Sequence, residues 1–202
     1  MIHTLIDGIE LHLATSDTVF SPAAVDNGTL AMLSVVSFKS DDKVLDLGCG
    51  YGVVGILAAK KIGAEKVILS DLSSEAVTLA RQNAQLNGVA QVQVIQSDGF
   101  HAIDADGFTL ILSNPPYHTD FSVARHFIEN SYYRLLPGGR LYMVTKRLAW
   151  YKNKIVSVYG GVKIIKLNNY YIFMAEKRTQ GKPVKVKKRQ MLSRKLRRKY
   201  GS

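Results

Sequence analysis

The chain has 202 residues and one cysteine, Cys49, enough for one well-buried domain and too little sulfur for an internal disulfide or a cysteine-built zinc site. Its net charge of +11 is uneven: residues 1–177 hold 16 Lys+Arg against 16 Asp+Glu, while residues 178–202 hold the other 11 Lys+Arg and no acid. Two parts are expected, a neutral folded domain over 1–177 and a basic, flexible tail over 178–202 suited to a polyanion, with nucleic acid the first candidate. Met1 to Glu10 lacks a basic run ahead of an apolar core, and no apolar stretch approaches membrane-spanning length, which reads as a soluble, cytoplasmic chain with no membrane partner.

Taken in order, residues 1–20 alternate loosely at Ile6, Ile9, Leu11 and Leu13 without defining an element. Pro22 suits the first turn of a helix capped by Ser21, with Leu30, Leu33 and Val36 on its apolar face. Val44–Leu47 is a buried strand that runs into Gly48-Cys49-Gly50-Tyr51-Gly52, and residues 53–62 form a helix closed by Gly63. A second strand, 66–70, ends at Asp71. Ser73 or Ser74 caps a helix with Val77, Leu79, Ala80, Ala84 and Leu86 in periodic positions, ended by Asn87-Gly88. Strands at 92–96 and 108–112 run into Ser97-Asp98-Gly99 and Ser113-Asn114-Pro115-Pro116-Tyr117-His118. A helix over 121–136 stops at Pro137-Gly138-Gly139, a strand covers 140–145, and a helix over 148–159 is broken by Gly160-Gly161. Strands 162–167 and 170–176, joined at Asn168-Asn169, form a hairpin. Alternating strands and helices require parallel crossovers and the two-residue link an antiparallel pair. The expected fold is α/β: a doubly wound, mostly parallel seven-stranded sheet with a C-terminal antiparallel hairpin.

The glycine turn after Val44–Leu47 allows positive φ and close approach of backbone to a ligand. Dinucleotide sites share such turns, but they seat a pyrophosphate there, which Asp46 would repel. A ligand with an amino group and a sulfonium would be attracted. The stretch from Val44 to Gly52 resembles motif I of the class I S-adenosylmethionine (SAM) methyltransferases. The resemblance implies a seven-stranded Rossmann-like fold in which Asp46, Gly48, Cys49, Gly50 and Gly52 hold the methionine end of SAM. Asp71, with Leu72, stands where doubly wound folds place an acid against ribose hydroxyls; an acid there would equally suit the dipole of the following helix. By resemblance, Asp98, Gly99 and Phe100 take the adenine. Cys49 has no neighbouring base or cation to activate a thiolate and reads as a small residue that fits.

Asn114-Pro115-Pro116-Tyr117 ends the fourth strand. Two prolines stiffen the turn and remove two N–H donors, so it presents acceptors. An exocyclic amine is a poor nucleophile because its lone pair is delocalised. If the Asn114 side-chain oxygen and the Pro115 carbonyl each accept one of its N–H groups, the nitrogen is driven toward tetrahedral geometry and needs no strong base, while Tyr117 stacks on the planar target. The motif resembles the signature of enzymes that methylate adenine N6, guanine N2 or a glutamine amide. With His118 following, it is similar to the ribosomal RNA members, and Val19 to Thr29 resembles the segment before the cofactor loop of the small-domain rRNA guanine-N2 methyltransferases. Phe20, Tyr117 and His118 are therefore expected at the substrate, and Asp26 and Thr29 become candidates that capping and packing explain equally well.

The remaining histidines, His3, His12, His101 and His126, show no metal-ligand spacing and read as surface residues; no metal is expected. The implied function is SAM-dependent methylation of an exocyclic base nitrogen in structured RNA, foremost guanine N2 of rRNA, on a flipped base. Alternatives are adenine N6, a protein glutamine, or a ribosome-assembly factor with little turnover. The bacterial guanine-N2 enzymes carry an extra N-terminal domain for which this chain has no room. The tail, extended over 182–189 and helical over 190–200 with Leu192, Leu196 and Tyr200 in register, offers another RNA surface.

Overall fold

The structure is a computed structural model and describes residues 1–17, 21–115 and 121–178. Nine strands and five helices lie among them: β1 (Ile2–Ile6), β2 (Ile9–Leu13), α1 (Asn27–Leu33), β3 (Val44–Leu47), α2 (Val53–Ile62), β4 (Val67–Asp71), α3 (Ser74–Leu86), β5 (Gln93–Gln96), β6 (Phe108–Ser113), α4 (Ser122–Arg134), β7 (Leu135–Thr145), α5 (Ala149–Tyr159), β8 (Lys163–Leu167) and β9 (Tyr170–Glu176). Seven strands form one sheet in the order β5-β4-β3-β6-β7-β9-β8. β5, β4, β3, β6 and β7 are parallel, and β9 is antiparallel to both β7 and β8. The expected α/β sheet and closing hairpin are both present.

Burial on both faces explains the near-continuous apolar strands. Residues of α1, α2 and α3 pack one face around Met32, Ile56 and Ala80, while α4 and α5 pack the other around Ile128, Tyr151 and Ile155. α2 approaches especially closely, since a Cβ on Gly55 would lie 2.4 Å from Leu69 Cγ. The C-terminal ends of β3, β4, β5, β6 and β7 define a carboxyl edge, and their starts an amino edge. At the amino edge, buried Asp42 accepts from Thr109 Oγ1 (2.7 Å), the Lys39 backbone N–H (2.8 Å) and Arg140 Nη2 (3.1 Å).

Three boundaries differ from the sequence expectation. Residues 1–13 are a hairpin turned by Asp7 and Gly8, both at positive φ, with Ile6 opposite Ile9. The α1 helix starts at Asn27 rather than Pro22, because Ser21 has φ +58° and its Oγ donates to the Ala24 carbonyl, while Asp26 is the residue whose side chain caps the helix. The α4 helix ends at Arg134, and Pro137-Gly138-Gly139 lies inside β7 at a register shift rather than between elements.

The β1–β2 hairpin stays outside the main sheet. Two buried asparagines, Asn83 in α3 and Asn87 at its C-cap, mimic the strand that β2 lacks: Asn87 accepts from the His12 N–H and donates to its carbonyl (3.0 and 2.7 Å), and Asn83 does the same with Ala14 (2.6 and 2.9 Å). Asn83 Nδ2 also donates to the Tyr51 carbonyl at 2.9 Å, tying the hairpin to the glycine turn.

Residues 179–202 lie outside the described residues, so the expected flexible tail and its helix do too. β9 fixes where that segment attaches. Its first residues pair with the end of β7 and its last with Arg140, so Lys177 and Arg178 sit at the amino edge.

Candidate active site

A cavity of about 610 Å³ opens at the carboxyl edge, centred on the ends of β3, β4 and β6. Gly48, Gly50 and Gly52 all have positive φ, which lets the chain double back between β3 and α2. The Gly48 and Cys49 N–H groups both donate to the Ser70 carbonyl at 2.9 Å, tying the turn to β4. Gly48 and Gly50 line the cavity. Gly52 does not: a Cβ there would meet Ile56, Leu69 and Ala80 at 3.0–3.3 Å, so this glycine serves helix–sheet packing rather than a ligand.

Gly52 is also the N-cap of α2 and has no side chain to offer. Asp46 supplies the missing cap from β3, its Oδ2 accepting the Gly55 N–H at 2.8 Å. The carboxyl is buried and lines the cavity. Burial pushes its pKa up from 3.8 to about 7; the Gly55 hydrogen bond opposes this, and the nearby charge of Asp71 adds to it. Cys49 lines the same wall, and burial, reinforced by Asp46 and Asp71, pushes its thiol up, so the sulfur stays protonated.

Asp71 bridges two cavity elements, with Gly50 N–H on Oδ2 and Ser73 N–H on Oδ1, each 2.9 Å. Leu72, largely exposed, and Asp98, 73% exposed and 3.9 Å from His101, complete the rim with Gly99. Phe100 departs from expectation: its side chain is buried in the α4 core and is not among the cavity-lining residues. His126, expected at the surface, is half-buried. Its ring stands against Gly99, where a Cβ would lie 2.5 Å away, and burial together with His101 lowers its pKa. The sequence reading also passed over Tyr51, Val123 and Phe127, which line the cavity. Val123 and Phe127 are i and i+4 on α4, an apolar pair that reads as ordinary core until the helix is placed against the turn. The Tyr51 hydroxyl, pushed up to about 12 by burial and by Asp26, remains neutral.

The other end of the cavity is built from β6 and α1. Ser113 Oγ donates to the Leu47 carbonyl at 2.8 Å, locking β6 against β3 and fixing where Asn114 emerges. Asn114 Nδ2 donates to Asp26 Oδ2 (2.8 Å) and Thr29 Oγ1 (3.0 Å). Both amide hydrogens are thereby used, and Asp26, an acceptor only, fixes which end of the amide is nitrogen. Asn114 Oδ1 is left to accept a hydrogen bond in the cavity, next to Pro115. Asp26 Oδ2 also caps α1 through the Thr29 N–H at 2.9 Å. Tyr170 lies beside this group, its ring occupying the space a Cβ on Gly28 would need (2.7 Å). The structure therefore unites Asn114, Asp26 and Thr29. Phe20, Pro116, Tyr117 and His118 lie outside the described residues.

Among the described residues no group of three or more His, Cys, Asp or Glu could hold a metal, and no helix is long and apolar enough to cross a membrane.

A family model described as the methyltransferase small domain matches residues 10–174. Ribosomal RNA small subunit methyltransferase C of Mannheimia succiniciproducens is 34% identical over 166 residues, covering 80% of this chain and 49% of that protein. The Bacillus subtilis protein YbxB is 33% identical over 172 residues, covering 81% of this chain and 85% of the other. Among solved structures, a Thermus thermophilus 16S rRNA N2-guanine methyltransferase in complex with AdoMet and guanosine superposes with a TM-score of 0.81 at 28% identity, over 88% of this chain and 50% of that one. The chain spans about half the length of the ribosomal RNA methyltransferases it matches.

Proposed function

The chain belongs to the methyltransferase small domain family, and from that membership we propose that it is a SAM-dependent N-methyltransferase acting on an exocyclic base nitrogen of ribosomal RNA, guanine N2 foremost. The observation that carries this reading is the clamped amide of Asn114, whose oxygen is aimed by Asp26 and Thr29. The relatives named as rRNA methyltransferases and the likeness to a structure holding AdoMet and guanosine support it. Such a target places the activity in the cytoplasm, where ribosomes are assembled.

The residues present fit SAM. A buried carboxyl whose pKa is raised to about 7 suits a cationic ligand, Asp71 offers acceptors for a ribose diol, and the cavity volume suits a nucleoside with an amino-acid tail. Asp46 and the Gly48 and Gly50 backbone would hold the methionine end, Asp71 and Leu72 the ribose, and Asp98 and Gly99 the adenine, with Phe127 and Val123 as an apolar wall. When bound, SAM supplies an electrophilic methyl group.

The chain's own contribution is geometric and electrostatic. Asn114 Oδ1 and the Pro115 carbonyl accept the two amine hydrogens of the target and draw them out of the base plane, exposing the lone pair. The Asp26 carboxylate on Asn114 Nδ2 polarises the amide and makes Oδ1 a better acceptor. The role proposed for Tyr117 is stacking on the flipped base, and Phe20 and His118 are further candidates for substrate contact. The basic segment 178–202 adds affinity for phosphates.

The test is methyl transfer from labelled SAM to ribosomal subunits, free rRNA, tRNA and release factor from cells lacking the gene, with modified nucleosides identified by mass spectrometry. N2-methylguanosine in rRNA is expected. Label in adenine would change the base, label in protein would overturn the RNA reading, and no label anywhere would favour an assembly factor.

A further inference from the structure

The carboxyl edge divides into two halves of opposite chemistry. On the β3-β4-β5 side it carries Asp46, Asp71 and Asp98. On the β7-β9-β8 side the segments 145–152 and 166–171 contain Lys146, Arg147, Lys152 and Lys166 with Trp150, Tyr151, Tyr170 and Tyr171, and no acid. Three cations there stand over aromatic rings: Lys146 over Tyr170 (5.0 Å), Arg147 over Phe121 (5.0 Å) and Lys166 over Tyr171 (5.9 Å). Phe121 is itself stacked on Trp150, with ring centroids 4.2 Å apart and planes 13° from parallel. Lys146, Arg147 and Lys166 are exposed.

This group adjoins the Asn114 end of the cavity. Tyr170 packs against Gly28 in the helix that Asp26 caps, and Phe121 opens the helix whose Val123 lines the cavity. The Arg147 backbone N–H donates to Thr145 Oγ1 at 3.2 Å, fixing the turn from β7. The basic segment 178–202 attaches at the opposite edge, since β9 ends beside Arg140. The charged side chains set beside the Asn114 end of the cavity are therefore those of the folded domain, whose overall charge is balanced.

We propose that the Lys146–Tyr170, Arg147–Phe121–Trp150 and Lys166–Tyr171 groups form the binding surface for the nucleotides flanking the target base, in single-stranded form. Cations meet the phosphates, and the half-buried rings of Trp150 and Tyr171 offer faces for stacking of unpaired bases, while buried Tyr170 and the covered ring of Phe121 seat the cations; single-stranded nucleic acid requires this pairing of chemistries. The cation–aromatic contacts hold the long side chains in place, which lowers the entropy lost on binding. This surface rests on the RNA reading given above.

The test uses the full chain with Lys146→Gln, Arg147→Gln and Lys166→Gln combined, against a control with Lys39→Gln, Lys60→Gln and Lys66→Gln at the amino edge. Binding of a fluorescent short single-stranded RNA is followed by anisotropy over a salt series, and SAM binding by calorimetry. Loss of three phosphate contacts should lower the magnitude of the log–log salt slope by about 2, with SAM affinity retained and the control much less affected. An unchanged slope, or an equal fall in the control, overturns the surface while RNA binding itself stands. A wild-type chain that binds no RNA overturns the RNA reading and the surface with it.

Discussion

Asn114 and Asp26 lie 88 residues apart, and the amide nitrogen of one donates to the carboxylate of the other over 2.8 Å. Asp26→Asn keeps a good helix cap, because Asn caps about as well as Asp, but it no longer dictates which way the Asn114 amide points. The expected result is a fall in kcat of at least tenfold with SAM affinity within about twofold. Asn114→Ala removes the acceptor itself and should cost about 10²–10³ in kcat, the scale of losing one preorganised hydrogen-bonding group. Single-turnover methylation of rRNA measures both; an Asp26→Asn enzyme at full rate would show that the amide orients without it.

Asp46 predicts a pH dependence. The folded protein keeps this proton up to about pH 7, while the unfolded chain releases it near 3.8. Between those values the native state binds more protons, so this group makes the unliganded protein lose stability as pH rises from about 4 to 7, and nothing further above that. A cation in the cavity favours the ionised carboxyl, so SAM protection should grow across the upper part of the same window. Saturating SAM should raise Tm more at pH 8 than at pH 6, and Asp46→Asn should flatten the difference. Equal shifts in the wild type would remove Asp46 from the cation site.

The asparagines of α3 predict a local effect. Asn83→Ala strands the backbone groups of Ala14 and Tyr51 without partners, at a cost of about 1–3 kcal/mol. Urea unfolding should register that loss, and hydrogen exchange should quicken in β1 and β2 before the main sheet. Uniform exchange would mean the hairpin is held by its apolar face alone.

Gly28→Ala places a methyl 2.7 Å from the Tyr170 ring and 2.8 Å from Asp26 Oδ2. Overpacking of this kind costs about 1–3 kcal/mol. In a Tyr170→Leu background most of the cost should disappear, and a double-mutant cycle with no coupling energy would show that the helix simply shifts.

Local chemistry decided what could be read from the chain. The glycine turn, the strands that end at Asp71 and just before Asn114, the cap at Gly63 and the cap at Ser73, one of two serines expected for it, are set within a few residues and stand close to where expected. The misreadings involve partners far away in sequence. Pro22 is a good first-turn residue, but Asp26 caps the helix because its carboxylate also serves Asn114. Gly52 looked like its neighbours in the turn, yet its missing Cβ accommodates Leu69 and Ala80. Phe100 follows the Asp98-Gly99 turn, but the core beneath α4 takes its ring. The β1–β2 hairpin had a legible signal, Asp7-Gly8 between alternating apolar residues. What no pattern revealed is that Asn83 and Asn87 complete its edge.

The shared duty of Asp46 bears on engineering. A variant meant to accept a bulkier sulfonium donor needs room or new contacts at one of the three acids, and they are not equally open to change. Asp98 projects from the rim and carries little of the fold, so it is the place to begin. Asp71 holds the turn to the start of α3 through two backbone N–H groups, and a replacement there must keep both acceptors. Asp46 caps the start of α2, whose own N-cap residue, Gly52, has no side chain to do so. In the proposed SAM site any exchange there would alter donor selectivity and folding together, which leaves the position nearly closed to design and directs libraries toward Val123, Phe127 and the rim.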